Sequence, residues 1–311
     1  MKIYPSIQEF TPPAKTVVTL GTFDGVHKGH KVLLQKLAEA SAAMGCQSVV
    51  LTFFPHPRMV LQQASDVKLL NTMEEKAGLL EAAGVDNLII HPFSHEFSRL
   101  TAEEFVKDIL VDKLRVGKII IGHDHRFGRN RTATTADLII MGLELGFEVE
   151  QISALQVEEN NVSSTRIRNA LTEGNITLAN SYLGYPYFIT GTVSTGKQLG
   201  RTIGYPTANI AIGQSYKLIP AHGVYAVSSI IHGKIVFGMM NIGTRPTVDG
   251  TYQTIEVNFF DFDADIYGAE LKINLHTRLR DEHKFESLDA LKQQLARDKE
   301  NTQAFFNSHH V

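Results

Sequence analysis

Two histidines three positions apart, His27 and His30, follow a glycine-rich turn and could act on an anion. Residues 17–30 read VVTLGTFDGVHKGH, an apolar run followed by a turn and the predicted start of a helix. Glycines allow a tight turn and close approach of a ligand, and a helix start presents unpaired N–H groups. Imidazole N–H groups can donate to the same ligand. A bare His-x-x-His pair is more often two surface histidines, but the whole string favours a phosphate site.

A second group of anion-binding residue types lies at residues 162–171, which read VSSTRIRNAL. The hydroxyl residues predict a helix start, and such caps on their own indicate nothing more. Arg166 and Arg168 fall on the first turns of this helix. Because guanidinium groups suit phosphate oxygens and a helix N-terminus attracts negative charge, this segment is a further candidate for phosphate binding.

A third group lies in the later part of the chain, where glycines precede oxygen-bearing side chains. Residues 191–209 contain four spaced glycines followed by Pro-Thr-Ala-Asn, and Glu256 comes further on. Taken singly, such glycines are mostly turns of a β protein. The Thr207 hydroxyl and the Asn209 amide are oxygen ligands of the kind that Mg²⁺ requires. A carboxylate such as Glu256 can accept a proton from a hydroxyl, or form a cross-strand salt bridge on an exposed sheet face.

Polar residues also occupy two loops that follow predicted strands. The loop FFPHPR includes His56, and the loop GHDHRFG includes Asp124. In an open parallel sheet, ligands bind beyond the carboxyl ends of the strands. We therefore expect both loops to converge with the turn at residues 21–30.

Between residues 15 and 150, short β-rich runs alternate with helical ones, which is typical of a parallel sheet wrapped by helices. The runs are rich in Val, Ile and Leu, which indicates strands buried on both faces. The segments NTMEE from residue 71 and TAEE from residue 101 predict capped helix starts, and Gly84 and Gly117 are expected to end these helices. The predicted strands are 16–20, 48–53, 87–90, 118–121 and 148–152.

After a short helix at residues 175–183, β-rich runs dominate with no helix between them. This pattern favours a small closed antiparallel barrel. A terminal helix is predicted over residues 287–305, with Leu288, Leu291 and Leu295 packed on the barrel. The predicted barrel strands are 187–193, 223–231, 234–240, 254–260 and 272–275.

The length of 311 residues suits two domains, and the change of pattern divides them into residues 1–184 and 185–311. The expected fold class is α/β. The first domain is predicted to be Rossmann-like with a parallel sheet, and the second to be a small antiparallel β-barrel with a terminal helix.

Composition argues against several classes of protein. The chain carries 30 Lys and Arg against 33 Asp and Glu, which is too little positive charge to hold a nucleic acid. No apolar run approaches the roughly 18 residues of a membrane span. Cys46 is the only cysteine, which excludes an internal disulfide and suits a reducing compartment. We expect a cytoplasmic protein with small-molecule partners, no nucleic acid and no membrane, and self-association is left open.

Two of the strings resemble motifs of one enzyme family. The string GTFDGVHKGH resembles the ATP-binding motif of nucleotidyltransferases in the form found in bacterial FAD synthetases, and SSTRIR at residues 163–168 is similar to the motif that closes the same site. The glycine-rich segment with Pro-Thr-Ala-Asn and the string IEVNFFDFDADIYG around Glu256 resemble the riboflavin kinase domain. Together they resemble the bifunctional bacterial riboflavin kinases and FAD synthetases. The chain departs from the family at His125, where Phe is usual, and at Asn258, where many relatives carry His.

The resemblance implies an activity in flavin cofactor biosynthesis. The chain would phosphorylate riboflavin to FMN with ATP, and then adenylylate FMN with ATP to give FAD and pyrophosphate. Mg²⁺ is the implied cofactor, held by Thr207 and Asn209, and ATP is the co-substrate. Glu256 is the implied catalytic base of the kinase.

The resemblance also assigns the adenylylation site. His27, His30 and Arg168 take the catalytic roles there, and Arg280 and Phe285 are further candidates for flavin contact in the kinase domain. The residues implied to bind ATP and its phosphates in the two sites are Gly21, Phe23, Asp24, Gly29, His56, Asp124, Ser163, Ser164, Thr165, Arg166, Gly196, Gly200, Gly204 and Asn209.

Two other functions fit parts of the sequence. The first domain could be a nucleotidyltransferase for another phosphate acceptor, such as phosphopantetheine or glycerol phosphate, with a barrel that only binds. Relatives of that kind lack a barrel with Pro-Thr-Ala-Asn. The chain could also be a non-catalytic flavin sensor or carrier, although the intact histidines and Glu256 argue against loss of activity. Flavins separated after incubation with ATP, Mg²⁺ and riboflavin would distinguish the three.

Overall fold

The computed structural model describes residues 1–61, 67–123, 125–153, 162–195, 200, 203–247 and 250–309. The chain divides into two compact units, Met1–Ser164 and Thr165–Val311. The first helical segments after residue 164 belong to the second unit, whereas the sequence places the domain boundary after residue 184. That functional boundary stays a prediction.

The described part of the first unit contains a six-stranded sheet with the order β1-β4-β3-β2-β5-β6, in which every pair is parallel. This confirms the predicted parallel sheet. Its central strand β2 is buried along its whole length, as the apolar run predicts. A short edge strand, β1, was not predicted. The strands are β1 (Lys2–Tyr4), β2 (Thr16–Leu20), β3 (Gln47–Phe53), β4 (Asn87–His91), β5 (Val116–Ile121) and β6 (Glu148–Gln151).

Helices connect these strands, and two of them begin at the predicted capping boxes. Thr72 and Glu75 exchange hydrogen bonds at one start, and Thr101 and Glu104 do so at the other. The expectation for Gly117 is wrong, because it lies inside β5. The helices of this unit are α1 (Lys28–Met44), α2 (Pro57–Leu61), α3 (Met73–Ala82), α4 (Ala102–Glu104, continued by a π-helical stretch Phe105–Lys113) and α5 (Thr135–Leu145).

In the second unit the described strands close into a barrel with the order β10-β11-β8-β7-β12-β9, which confirms the predicted architecture. Its interior is apolar, with Tyr187, Val227, Ile242 and Val257 fully buried. Strand β8 was not predicted as a strand, and β10 and β12 run longer than their apolar cores. The strands are β7 (Tyr187–Ser194), β8 (Ala208–Ala211), β9 (Gly223–Ile231), β10 (Lys234–Thr247), β11 (Gly250–Phe259) and β12 (Glu270–Arg280).

Within the described residues, three helices accompany the barrel: α6 (Ser164–Thr172), α7 (Ile176–Leu183) and α8 (Leu288–His309). The predicted packing of Leu288 on the barrel is wrong, because this side chain is 64% exposed. The predicted packing of Leu295 is confirmed, because it contacts the cluster of Val224, Met239 and Phe260. The buried residues of α8 are Asp298, Thr302 and Phe306. None of the helices in the described part of the chain has the length and hydropathy of a membrane span.

Candidate functional sites

The predicted phosphate turn connects the carboxyl end of β2 to the start of α1. Phe23, Gly25 and Val26 all adopt positive φ angles, of 45°, 89° and 37°. Glycine takes this conformation freely, whereas Phe and Val are strained in it and need surrounding contacts to hold them. The turn is therefore a constrained backbone segment at the sheet edge where α/β proteins bind ligands.

His27 caps the helix that follows the turn. Its Nδ1 accepts a hydrogen bond from the His30 backbone N–H at 3.4 Å, and the two imidazole rings stack with centroids 3.7 Å apart. Burial lowers the pKa of His27 from 6.5 to about 4, against the opposing charge of Asp24. His27 is thus neutral near pH 7, and since Nδ1 accepts, its proton lies on Nε2, where it can be donated.

His30 lies between His27 and Phe23, whose ring centroid is 5.0 Å from that of His30. Part of its surface is accessible, while its Nδ1 is enclosed and has no hydrogen-bond partner among the described residues. Burial, followed by the His27 ring and the Lys76 ammonium, holds the pKa of His30 well below 6.5. The pair therefore offers neutral hydrogen-bonding groups to an incoming anion.

Other residues predicted to contact ATP at this turn have their side chains inside the protein. Phe23 is 2% exposed and belongs to the core, and Asp24 is 1% exposed. Asp24 Oδ1 accepts a hydrogen bond from the Leu70 N–H at 2.9 Å, so this carboxylate shapes the turn. Gly21 donates its N–H to the Leu51 carbonyl at 3.1 Å, and Gly29 is buried within α1.

The hydroxyl and arginine segment begins α6. Ser164 donates its hydroxyl to the Asp24 carbonyl at 2.8 Å, which brings this predicted residue to the phosphate turn. Ser163 and Thr165 are exposed. Arg166 and Arg168 lie further along α6, in the second unit, and their action with the histidine pair stays a prediction.

The two loops after β3 and β5 carry the remaining predictions for this unit. His56 is 8% exposed, and its Nδ1 accepts a hydrogen bond from the Arg58 N–H at 3.1 Å, which is a local turn contact. Asp124 lies outside the described residues. His125, where the resemblance leads us to expect Phe, stacks on Phe127 with ring centroids 5.9 Å apart.

Sequence reasoning missed Lys76, which is only 2% exposed and donates from Nζ to the Thr22 carbonyl of the turn at 2.7 Å. The sequence did contain a signal that could have identified Lys76. Met73, Ala77 and Leu80 form the buried face of α3, and Lys76 stands on that same face by its spacing. A lysine on an apolar face is unusual and marks the position for inspection.

In the second unit, Glu256 and Asn209 occupy directly opposed positions on neighbouring strands, β11 and β8. Asn241 on β10 is opposite Glu256 on the other side, which gives a row across three strands. Directly opposed residues of antiparallel strands share one face of the sheet. Because their neighbours Met240 and Val257 are buried in the barrel, this polar row lies on the barrel's outer face.

Glu256 also forms an ion pair with Arg245, a residue that sequence reasoning did not single out. Their side chains are 16% and 32% exposed. Glu256 therefore forms a salt bridge, as one interpretation of the sequence predicts, and it is also directly opposite Asn209 on the neighbouring strand. Next to Glu256 on the same face, Asn258 donates to the Pro206 carbonyl at 2.7 Å and so ties the Pro-Thr-Ala-Asn segment to β11.

The Thr207 hydroxyl lies near Gly200, 3.5 Å from the position a Cβ there would take. Such a Cβ would collide with the Tyr205 carbonyl, which explains the need for glycine at 200. Gly204 turns the chain with a φ of 85°, and Gly196 lies outside the described residues. Thr207 precedes Asn209 by two residues, and Asn209 is directly opposite Glu256, so these neighbouring positions supply hydroxyl, amide and carboxylate groups of the kind that suit Mg²⁺. Among the described residues, no group of three His, Cys, Asp or Glu forms a metal cluster.

The two candidates for flavin contact lie at the end of β12 and beyond it. Arg280 forms an ion pair with Asp298 of α8, with Nη2 2.7 Å from Oδ2, and Asp298 is 1% exposed. The guanidinium also lies 5.7 Å from the centroid of the Phe285 ring. Arg280 thus joins the terminal helix to the barrel, and its contact with flavin stays a prediction.

Comparison with known proteins assigns both units to families. The family model for FAD synthetase matches residues 10–166, and that for riboflavin kinase matches residues 183–306. A crystal structure described as a macrolide-efflux protein from Streptococcus pneumoniae aligns with a TM-score of 0.89 and 34% identity, over 97% of this chain and 99% of that chain.

Several curated proteins are similar to this chain over nearly its whole length, and they share one description, bifunctional riboflavin kinase/FMN adenylyltransferase. The protein from Escherichia coli K12 is 39% identical over 98% of both chains. The protein from Listeria monocytogenes is 40% identical over 93% of this chain and 92% of its own, and the protein from Bacillus subtilis is 35% identical over 95% and 94%. The chain therefore belongs to the family of bifunctional riboflavin kinases and FMN adenylyltransferases.

Proposed function

We propose that the two activities of this family are divided between the two units, with FMN adenylylation in the first and riboflavin phosphorylation in the second. The observation that carries this proposal is the membership of the two residue groups. The histidine pair on its constrained turn belongs to the first unit, and the opposed Glu256 and Asn209 belong to the second.

In adenylylation, a phosphate oxygen of FMN attacks the α-phosphorus of ATP, and the bond to the pyrophosphate oxygen breaks. The nucleophile is already an anion, so the site needs alignment and hydrogen-bond donors more than a base. Neutral His27 and His30 and the N–H groups at the start of α1 supply such donors. We assign Arg168 and Arg166 to the charge on the departing pyrophosphate, where guanidinium groups are suited.

In phosphorylation, the riboflavin 5′-hydroxyl oxygen attacks the γ-phosphorus of ATP, ADP leaves, and Glu256 accepts the hydroxyl proton. A positioned base of this kind contributes roughly a hundredfold to ten-thousandfold to the rate. The Arg245 ion pair fixes the orientation of the Glu256 carboxylate before substrate arrives. Thr207 and Asn209 would hold Mg²⁺, which when bound neutralises charge on the ATP phosphates.

Riboflavin, FMN, FAD and ATP follow as the small-molecule partners. A cytoplasmic location, the absence of nucleic acid and membrane partners, and self-association stay predictions from the sequence. The functional domain boundary after residue 184 also stays a prediction.

The proposal is tested by incubating the chain with ATP, Mg²⁺ and riboflavin and separating the flavins by chromatography. We expect FMN to appear first and FAD to follow. Binding of riboflavin without any product would instead support a flavin carrier. Failure to use FMN, together with adenylylation of another phosphate compound, would support the alternative nucleotidyltransferase.

A further inference from the structure

A buried lysine supports the phosphate turn from the side of α3. Lys76 is 2% exposed, and its Nζ donates to the Thr22 carbonyl at 2.7 Å. Burial lowers the pKa of Lys76 from 10.5 to about 8, with the Asp24 charge acting in the opposite direction. Near pH 7 the side chain therefore remains mostly protonated, so the turn lies against a buried cation.

Packing alone does not explain this residue. The rest of the buried face of α3 is largely apolar, and an unbranched apolar side chain would fill the same space without the desolvation of an ammonium group. Even a buried ion pair can often be replaced by apolar side chains of similar shape with no loss of stability, so a buried charge is weak evidence for a stabilising role. The position is better explained by what the ammonium group contacts.

The Lys76 ammonium group contacts a backbone segment that contains a strained residue. The Thr22 carbonyl accepts a second hydrogen bond, from the Thr52 hydroxyl at 3.2 Å. Two residues later, the Asp24 carboxylate accepts from the Leu70 N–H, so the chain leading into α3 holds the turn at two points. Between these points lies Phe23, whose φ of 45° is strained.

The same ammonium group acts on His30. Its charge is one of the three causes that hold the pKa of His30 well below 6.5. The His30 ring packs on Phe23, the residue that the two hydrogen bonds bracket. Displacement of the Thr22 carbonyl would therefore shift both the turn and the ring that faces the ligand.

We infer that Lys76 is a positioning residue for FMN adenylylation, which holds residues 22–26 and His30 in the geometry that receives the ATP phosphates. This inference rests on the proposed assignment of adenylylation to the first unit. Lys76 acts through the Thr22 carbonyl rather than by touching substrate.

The test compares Lys76→Met, which keeps the length of the side chain and removes its donor and charge, with Lys76→Arg, which keeps a cationic donor. We expect Lys76→Met to lower kcat for FMN adenylylation by about tenfold to a hundredfold per folded molecule, because small displacements at a reacting centre have effects of this size. Its riboflavin kinase rate should stay near that of the parent chain. Rates are expressed per folded molecule because removal of the buried cation that acts on Asp24 lowers stability. If Lys76→Met is a hundredfold slower than the parent chain, Lys76→Arg should be at least tenfold faster than Lys76→Met.

Two matched controls separate this role from general effects of losing a lysine. Lys36→Met removes an exposed lysine of the same unit that pairs with Glu39. Lys217→Met removes a second buried lysine, 2% exposed, whose Nζ donates to the Phe188 carbonyl at 2.8 Å in the other unit. Both should adenylylate FMN at the parental rate.

Three results would overturn the inference. These are a Lys76→Met variant with parental kcat, a loss that is fully explained by a smaller folded fraction, and an arginine variant as slow as the methionine variant. A parallel His30→Ala variant distinguishes the two levels of the argument. If His30→Ala is slow while Lys76→Met is not, only the inference fails. If His30→Ala is also at the parental rate, the histidine pair is not part of the mechanism, and the assignment of adenylylation to the first unit loses the observation that carries it.

Discussion

The two candidate sites of this chain are built from different kinds of backbone. In the first unit, His27 and His30 stand three residues apart where a strand, a turn and a helix follow one another. In the second unit, Asn209, Glu256 and Asn241 come from three strands and are aligned by β-sheet register. The first site is thus encoded by adjacent residues, whereas the second depends on correct closure of the barrel.

The sites also differ in charge, in line with the two nucleophiles. The imidazoles of the first site are held neutral by burial, and no base is needed because an FMN phosphate is already ionised. The second site places a carboxylate, Glu256, beside Arg245, and a neutral hydroxyl nucleophile needs such a proton acceptor. On the proposed assignment, the residue types of each site follow from the nucleophile that the site must activate rather than from ATP, the co-substrate that both sites share.

The largest expected effect is on phosphorylation. Glu256→Gln keeps the shape of the side chain and removes its basicity, so we expect riboflavin phosphorylation to fall by about a hundredfold to ten-thousandfold. Adenylylation of supplied FMN should stay within about twofold, because it belongs to the other unit. Both rates are measured by chromatography of the flavins, with Glu270→Gln on β12 as the control. Loss of both activities in a folded variant would contradict the assignment of Glu256 to phosphorylation alone.

The next effect concerns the barrel on which the second site depends. Asp298→Ala leaves Arg280 without its buried partner, and breaking such a pair typically costs about 3 kcal/mol or more. We expect the Tm of the second unit to fall by roughly 10 °C, together with phosphorylation at elevated temperature. Thermal unfolding followed by each activity would show this. An unchanged Tm would contradict a stabilising role for this ion pair and leave flavin contact as the remaining prediction for Arg280.

The third effect is on adenylylation. His30→Ala removes the ring that faces the turn, and we expect the rate of FMN adenylylation to fall by about a hundredfold, comparable to loss of one oxyanion donor. Phosphorylation of riboflavin should continue, so FMN should accumulate. Time courses from riboflavin measure both steps in one experiment. Normal FAD formation by this variant would remove the histidine pair from the mechanism.

The smallest effect is on stability at acidic pH. The pKa of His27 is about 4 in the folded chain and 6.5 ordinarily, so between these values the unfolded state binds more protons and stability falls as pH falls. At pH 5 this amounts to about 2 kcal/mol relative to neutral pH. His276 in the barrel has the same lowered pKa, about 4, but is partly exposed and should contribute less.

This pH dependence can be assigned to His27 with a variant that keeps its capping role. His27→Asn provides an acceptor for the His30 N–H and does not titrate. We expect the difference in Tm between pH 7 and pH 5 to become smaller in this variant, with His30 and His276 supplying the remainder. An unchanged difference would contradict the assignment.

The sequence was informative where structure is set by neighbouring residues. The capping boxes at Thr72 and Thr101 and the parallel strands from β2 onward were predicted, because helix starts and buried strands depend on local patterns. Strand β8 was not, because its four residues form a strand only by pairing with β7 and β11. The outward position of Leu288 was missed because helical spacing shows which residues of α8 share a face, but not where along the helix its contact with the barrel begins.

The same distinction applies to the sites. The histidine pair was predicted from motif spacing, and the approach of Ser164 to the turn was implied by the family resemblance. Lys76 and Arg245 were not, because the contacts of Lys76 with Thr22 and of Arg245 with Glu256 require knowledge of which segments meet in space. Both missed residues support a predicted residue rather than replace it.

The proposal that His30 and Glu256 serve two separate reactions is examined most simply by mixing two inactivated chains. His30→Ala and Glu256→Gln are each incubated with ATP, Mg²⁺ and riboflavin, alone and in an equimolar mixture, and FAD is quantified. The account predicts FMN without FAD from the first variant, little of either from the second, and restored FAD in the mixture. Formation of FAD by His30→Ala alone, or failure of folded Glu256→Gln to convert supplied FMN, would contradict it.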